Sequence, residues 1–266
     1  APTAARKTYE FASFQYDVER SPFDNTVWTY GTDYAVGFFI LLVALSVPCH
    51  GQFAITGWKS RGLLSFYTLS VLFGGLAHQF YLTLESRNTL LFRVHWTICV
   101  GLVAAASGFM GATASELLGS DRSRGSKVLT PFMNRELPLV PDSFWFGFAV
   151  CVTATVIAGG ASNQDPACDL FIVGITQFPS SFYIMAIFWS TKFKVKTYMR
   201  VLGCISFVLN APLLPLYPVL VQYTDWSLGT INALLHCWLL VAWSMQGLTL
   251  RHFGNAALAN RALKVE

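Results

Sequence analysis

Three histidines lie inside apolar stretches of this chain, His78, His95 and His236, and Asn232 precedes the last by four residues. An ionisable side chain within a membrane-length apolar run is costly and marks a functional site by default. Three chemistries suit such a set. Zinc takes neutral imidazoles and keeps one position for a reactive water in catalytic sites. Haem or chlorophyll takes one axial imidazole from a helix. A hydrogen-bonded His–Asn network needs no ligand, and for each histidine taken singly this structural role is the plainest reading. Asn232 and His236, at i and i+4, share a helix face. At 1.5 Å per residue from the polar ends of their stretches, His78 is ~10 Å deep, His236 ~13 Å, His95 ~6 Å and Asn232 ~8 Å. Glu85, Arg93 and Asp169 stand where they could close that end of a site. His50 and His252 fall at the opposite boundary and suggest no site.

Apolar stretches at 33–48, 63–85, 91–114, 143–161, 168–190, 199–221 and 227–250 must position these residues. A helix needs ~20 apolar residues to cross the hydrocarbon core, and the runs lack the period-two alternation of barrel strands. The expectation is an all-α, polytopic membrane protein with a seven-helix transmembrane domain over 33–250. Residues 1–32 form an N-terminal segment, 115–142 a long loop and 251–266 a tail. Trp28, Tyr30 and Tyr34 are the aromatic anchors expected at a headgroup boundary. The composition agrees: 54% of residues are hydrophobic, 12% charged, and mean hydropathy is +0.49. Soluble domains carry about twice that share of charge. These values exclude a disordered chain and a basic nucleic-acid binder, and they argue against a soluble enzyme.

Only Arg6, Lys7, Arg20, Arg87 and Arg93, of 18 basic residues, fall on the N-terminal side of the expected spans. Lys and Arg are retained on the cytoplasmic side. The N-terminus is therefore expected outside or in a lumen, and the C-terminus on the cytoplasmic, stromal or matrix side. The membrane is an organellar inner, thylakoid or endomembrane one on this reading. An Ala-Pro-Thr-Ala-Ala start is compatible with a trimmed initiator or a removed presequence. The six cysteines show no CxxC spacing and most lie in or beside spans, so neither a disulfide framework nor a c-type haem site is indicated.

Gly101, Ala105, Gly108 and Ala112, with Gly111 and Ser115, give the third span small faces for close helix approach. Pro212, Pro215 and Pro218 interrupt the sixth, and Asn210 is the expected partner for freed carbonyls. The Ser-Asp-Arg-Ser-Arg-Gly-Ser-Lys core of loop 115–142 reads as a mobile, solvated linker; its Arg122, Arg124 and Lys127 are candidates for contact with anionic lipid or a partner. Residues 253–265 suggest a short interfacial helix.

The run Gly74-Gly75-Leu76-Ala77-His78, followed by Leu82-Thr83-Leu84, resembles a helix-two segment of the alkaline ceramidase and adiponectin-receptor superfamily. Asn232-Ala233-Leu234-Leu235-His236 is similar to that group's helix-seven H-x-x-x-H motif. The resemblance implies seven helices, a lumenal N-terminus and an intramembrane zinc. It departs at the ligands: Gly74 stands where the group has Ser, Asn232 where it has the first His, and no helix-three Asp is evident. His78 and His236 alone keep ligand positions, so His95 would have to supply a third. Arg93-Val94-His95-Trp96 and Tyr217-Pro218-Val219 resemble microbial rhodopsins, but residues 227–250 contain no Lys for a retinal Schiff base.

The leading expectation is a non-catalytic membrane protein with no cofactor, either an accessory subunit of a larger membrane complex or a receptor-like degenerate member of that superfamily. Its partners would be membrane lipids and other membrane subunits. One alternative is a zinc-dependent lipid amide or ester hydrolase. The other is a haem- or chlorophyll-binding subunit using His78 or His236.

Overall fold

The computed structural model describes residues 8–11, 14–17, 25–49, 54–87, 89–122, 127–130, 135–163, 173–174 and 177–262. An N-terminal hairpin pairs β1 (Thr8–Phe11) antiparallel with β2 (Phe14–Asp17). The other described elements are helices: α1 (Val27–Ser46), α2 (Ala54–Phe80), α3 (Leu84–Arg87), α4 (Leu90–Arg122), α5 (Asp142–Asn163), α6 (Phe178–Ser190), α7 (Thr197–Asn210), α8 (Leu213–Tyr223) and α9 (Leu228–Ala262). Four of them contain stretches long and apolar enough to cross a membrane: Val27–Ser46, Gly57–Phe80, Leu90–Arg122 and Leu228–Ala259. Exposed Phe38, Phe39, Leu42 and Leu45 on α1 are the outward side chains that lipid, not water, would cover. The length and composition are those of an integral membrane protein.

Threonine and serine hydroxyls set several helix starts by accepting orphan amide protons. Thr89 accepts from the Phe92 amide at 3.2 Å to begin α4, and Ser227 from the Thr230 amide at 3.2 Å to begin α9. At α3, Thr83 and Ser86 cap each other reciprocally.

Packing directions follow from the residues that meet. On α1 and α2, Gly75 lies against Asp33 and Tyr34, and Gly37 against Leu72, so the two run antiparallel. The α2–α4 pair is antiparallel through Ser70 with Cys99 and Lys59 with Glu116. α1 and α9 run parallel, with Thr26 against Gly229 and Val43 against Gly247. The starts of α1, α4 and α9 and the end of α2 therefore share one end of the bundle, here the near end. Lys59, Glu116 and the start of α5 lie at the far end.

α4 is the central helix. Its apolar window is 61% buried, against 28–39% in the other three. The small face expected in its sequence receives α5: Gly101 meets Thr153, Gly108 meets Ala149, and a Cβ on Gly111 would fall 2.1 Å from the Trp145 ring. Ser115 accepts the Trp145 indole proton at 3.0 Å.

Several boundaries differ from expectation. α1 starts at Val27 instead of 33, which carries Asp33 into the helix interior. α4 continues to Arg122 because Leu117 and Leu118 pack in the core, and this shortens the expected loop 115–142. The described remainder of that loop is mostly exposed but is tied down at two points. Leu129 bridges to Glu136, and Val128 and Leu137 are buried in the core. Of the expected interfacial helix at 253–265, the described part, to Ala262, is instead the continuation of α9, held by Phe253 stacked on Phe188 at 4.3 Å. The proline-rich span breaks into α7 and α8 at Ala211–Pro212. The Leu209 carbonyl at that break accepts from the Trp238 indole at 2.9 Å. Asn210, expected in that role, bonds Gln177 and Trp243.

Candidate functional site

The start of α1 presents Thr26, Thr29, Thr32 and Asp33 within two helical turns. Spacing of three to four residues puts them on neighbouring faces. Thr26 and Thr29 hydroxyls lie 3.3 Å apart, and Thr29 is fully buried. Gly229 of α9 lets this ladder in: a Cβ there would fall 2.5 Å from Thr26 Oγ1. Close approach at Gly229 brings the next two turns of α9, with Asn232 and His236, alongside α1. Asn232 is buried in this seam.

His236 is gripped on both ring nitrogens. Nδ1 is 2.8 Å from Thr32 Oγ1, and Nε2 is 3.2 Å from Asp33 Oδ1. Asp33 is 3% exposed, deep for a carboxylate. Its other oxygen, Oδ2, is buried, has no hydrogen-bond partner among the described residues, and faces α2 where Gly74 leaves room: a Cβ there would sit 3.9 Å away. Gly75 is the tighter contact, a Cβ falling 3.0 Å from Asp33 Cβ. The glycine pair on α2 thus exists in this structure to admit the Asp33–Tyr34 corner of α1. Tyr34 turns aside to donate to Gln79 Oε1 at 2.5 Å.

Proton positions in this cluster are constrained by the Thr32 hydroxyl, which has one proton to give. It lies 2.6 Å from the Trp28 carbonyl and 2.9 Å from that of Thr29. If Thr32 donates to its own helix, it must accept from His236 Nδ1–H. One further proton then lies between Nε2 and Asp33 Oδ1. Held on nitrogen it makes an ion pair; held on oxygen it makes two neutral groups, the arrangement that costs less where dielectric is low. If Thr32 instead donates to Nδ1, the Nε2–H donates to the carboxylate. Every arrangement places one proton on the Asp33–His236 line, and moving it changes the charge separation between α1 and α9.

The other candidates fall elsewhere. His78 is half-buried one turn beyond Gly74 on α2. His95 places Nε2 2.7 Å from the Phe73 carbonyl, with its ring against Phe73 and Tyr81 at 5.1 and 5.5 Å, so it closes the α2–α4 seam and not the α1–α9 one. Glu85 is exposed on α3. Asp169 and Arg124 lie outside the described residues. Arg122 turns inward, to the Leu137 carbonyl and, at 3.9 Å, to Glu136; Lys127 is exposed. Among the described residues no three His, Cys, Asp or Glu side chains are grouped to hold a metal. Zinc or a porphyrin at His236 would have to displace Thr32 or Asp33 from the ring.

Asp33 and Thr32 were not singled out in the sequence. The available signal was a carboxylate within two turns of three threonines, directly ahead of an apolar run. Its position beside three aromatic anchors gives the segment the look of a headgroup boundary.

No family model, curated protein or solved structure matches the chain.

Proposed function

We propose that this chain is a non-catalytic, seven-pass integral membrane protein that responds to protons through the Asp33–His236 pair, and that it works within a larger membrane assembly or as a receptor-like protein. Seven passes are supported by the alternating run of α1, α2, α4, α5, α6, the broken α7–α8 and α9. The distribution of basic residues supports an outer or lumenal near end. The observation that carries the proton-responsive reading is His236 held between Thr32 and Asp33, the carboxylate only 3% exposed. Intramembrane carboxylate–imidazole pairs of this kind are the usual material of proton relays.

The expected sign follows from counting protons. A second proton on the pair leaves an imidazolium beside a neutral carboxyl: Asp33 can still accept from Nε2–H, but the bond loses its charge assistance, so the tie between the near ends of α1 and α9 weakens. Tyr34 on α1 and Cys99 on α4 lie within electrostatic reach of Asp33, and Asn232 stands one turn before His236 on α9. Of the other ionisable groups, Tyr34 is occupied by Gln79 and His95 by Phe73.

The test is amide hydrogen exchange on the chain purified in mild detergent, above and below ~6.5, the ordinary imidazole value, together with metal analysis. Faster exchange at the starts of α1 and α9 on acidification, abolished in Asp33→Asn, is the expected result. One zinc per chain, lost in His236→Ala, would overturn this reading in favour of a ceramidase-like hydrolase with His78 and His236 as ligands.

A further inference from the structure

From Leu170 to Thr224 the chain contains no Asp or Glu. Within that stretch Lys192, Lys194 and Lys196 alternate with Phe193 and Val195 in the loop that joins α6 to α7. α6 runs parallel to α4: Gln177 meets the Val103 carbonyl, Ser181 the Met110 sulfur, and the Lys192 amide Asp121. The loop therefore lies at the far end, beside the end of α4.

The structure turns the three lysines outward. Phe193 is buried with its ring against Phe253 of α9, and Val195 packs on the same core. The Val195 amide donates to the Phe193 carbonyl at 2.7 Å, a three-residue turn with Lys194 at its tip. Lys192, Lys194 and Lys196 are all exposed. The backbone beneath them is fixed. The Lys192 amide donates to Asp121 Oδ2 at 3.1 Å, and Arg200 donates to the carbonyls of Phe193, at 2.8 Å, and Phe188. Asp121 is buried, so it offers the surface no carboxylate. The first turn of α7 holds no acid, and its positive end adds to the ammonium charge. Trp189 at the end of α6 and Tyr198 at the start of α7 are each more than half exposed. Aromatic rings on both arms of a loop are the anchors of a headgroup boundary.

We infer that this loop binds the head group of an anionic phospholipid. Each ammonium supplies a positive charge and N–H donors to phosphate oxygens, and the loop's own segment has no carboxylate to compete. Trp189 and Tyr198 favour a lipid over a soluble phosphate, because their rings suit the level where acyl chains meet head groups. The exposed Lys127 and Arg135 at the same end differ: their segment carries Glu136, which is itself more than half exposed. This site is remote from the Asp33–His236 pair and does not depend on the function proposed for it.

The test is native mass spectrometry of the full chain released from vesicles holding equal phosphatidylglycerol, phosphatidylcholine and phosphatidylethanolamine with identical tails. A lysine at an anionic lipid surface is worth about fivefold in binding. Three of them should favour phosphatidylglycerol by about a hundredfold over either zwitterionic lipid. Lys194→Gln with Lys196→Gln should remove about twentyfold of that preference. Lys127→Gln with Arg135→Gln removes the same charge from the same end and should leave it within about twofold. Equal retention of the three lipids, no loss in the Lys194–Lys196 variant, or an equal loss in the Lys127–Arg135 variant overturns the proposal. Thermal stabilisation of the wild-type chain by each lipid provides a readout independent of whether the variants fold. Equal stabilisation by glycerol 3-phosphate, with no lipid retained, overturns the lipid assignment in favour of a soluble phosphate.

Discussion

The near-end pair and the far-end triad join some of the same helices with opposite electrostatic designs. Asp33 and His236 are one acid and one base, and moving a single proton takes them from an ion pair to two neutral groups. Lys59, Glu116 and Asp142 have no such option. The ammonium sits at 2.7 and 3.3 Å from two carboxylates. On the function proposed above, the near end is the part that changes state and the far end the part that stays fixed. α2 contributes to both: Lys59 anchors its beginning, while near its end Gly75 packs closely on Asp33 and Gly74 leaves room beside its free oxygen.

This contrast can be broken by substitution, and the largest effect belongs to the fixed end. Lys59→Met removes the ammonium that meets Glu116 and Asp142. A loss of about 3–5 kcal/mol in denaturant unfolding is expected, and adding Glu116→Gln with Asp142→Asn should recover most of it. A loss under ~1 kcal/mol would mean the triad is solvated and holds nothing together. Next in size is Gly111→Leu, a control at the α4–α5 contact away from the Asp33–His236 pair. Its side chain would collide with Trp145, and overpacking costs about 1–3 kcal/mol without altering the pH response of α1 and α9.

At the near end the effects on stability are smaller. His236→Ala strands a carboxylate that is 3% exposed, for a cost of about 1–3 kcal/mol. Thr32→Val deletes the hydroxyl at Nδ1 and should cost about 1 kcal/mol in the same unfolding assay. Asp33→Asn keeps a hydrogen-bonding group opposite Nε2 and should change stability least, yet it should erase the response to acidification. A variant that is stable but unresponsive is the signature that separates a proton site from a structural staple.

Much of the fold was legible in the sequence because lipid imposes long apolar runs and small-residue seams. The stretches around α1, α2, α4 and α9 announced themselves, as did the proline break at Pro212 and the face of α4 that receives Trp145. Helix ends were less legible. Polarity near Asp121 and Arg122 reads as loop, whereas burial of Leu117 and Leu118 keeps those residues helical. The candidate site was half visible. His236 and Asn232 stood out by their depth and spacing, but the partners of His236, Thr32 and Asp33, come from a helix about 200 positions earlier in the chain, and no local pattern links the two. Lys59 was hidden for the same reason: a lysine near an expected boundary looks solvated until Glu116 and Asp142 are brought to it.

The most direct test of the central claim is infrared difference spectroscopy of the chain in lipid bilayers across a pH titration. A carboxyl C=O band that shifts in deuterated water, disappears in Asp33→Asn and moves in His236→Gln is expected if Asp33 and His236 share a proton. A spectrum in which no carboxyl band responds to either substitution would contradict it.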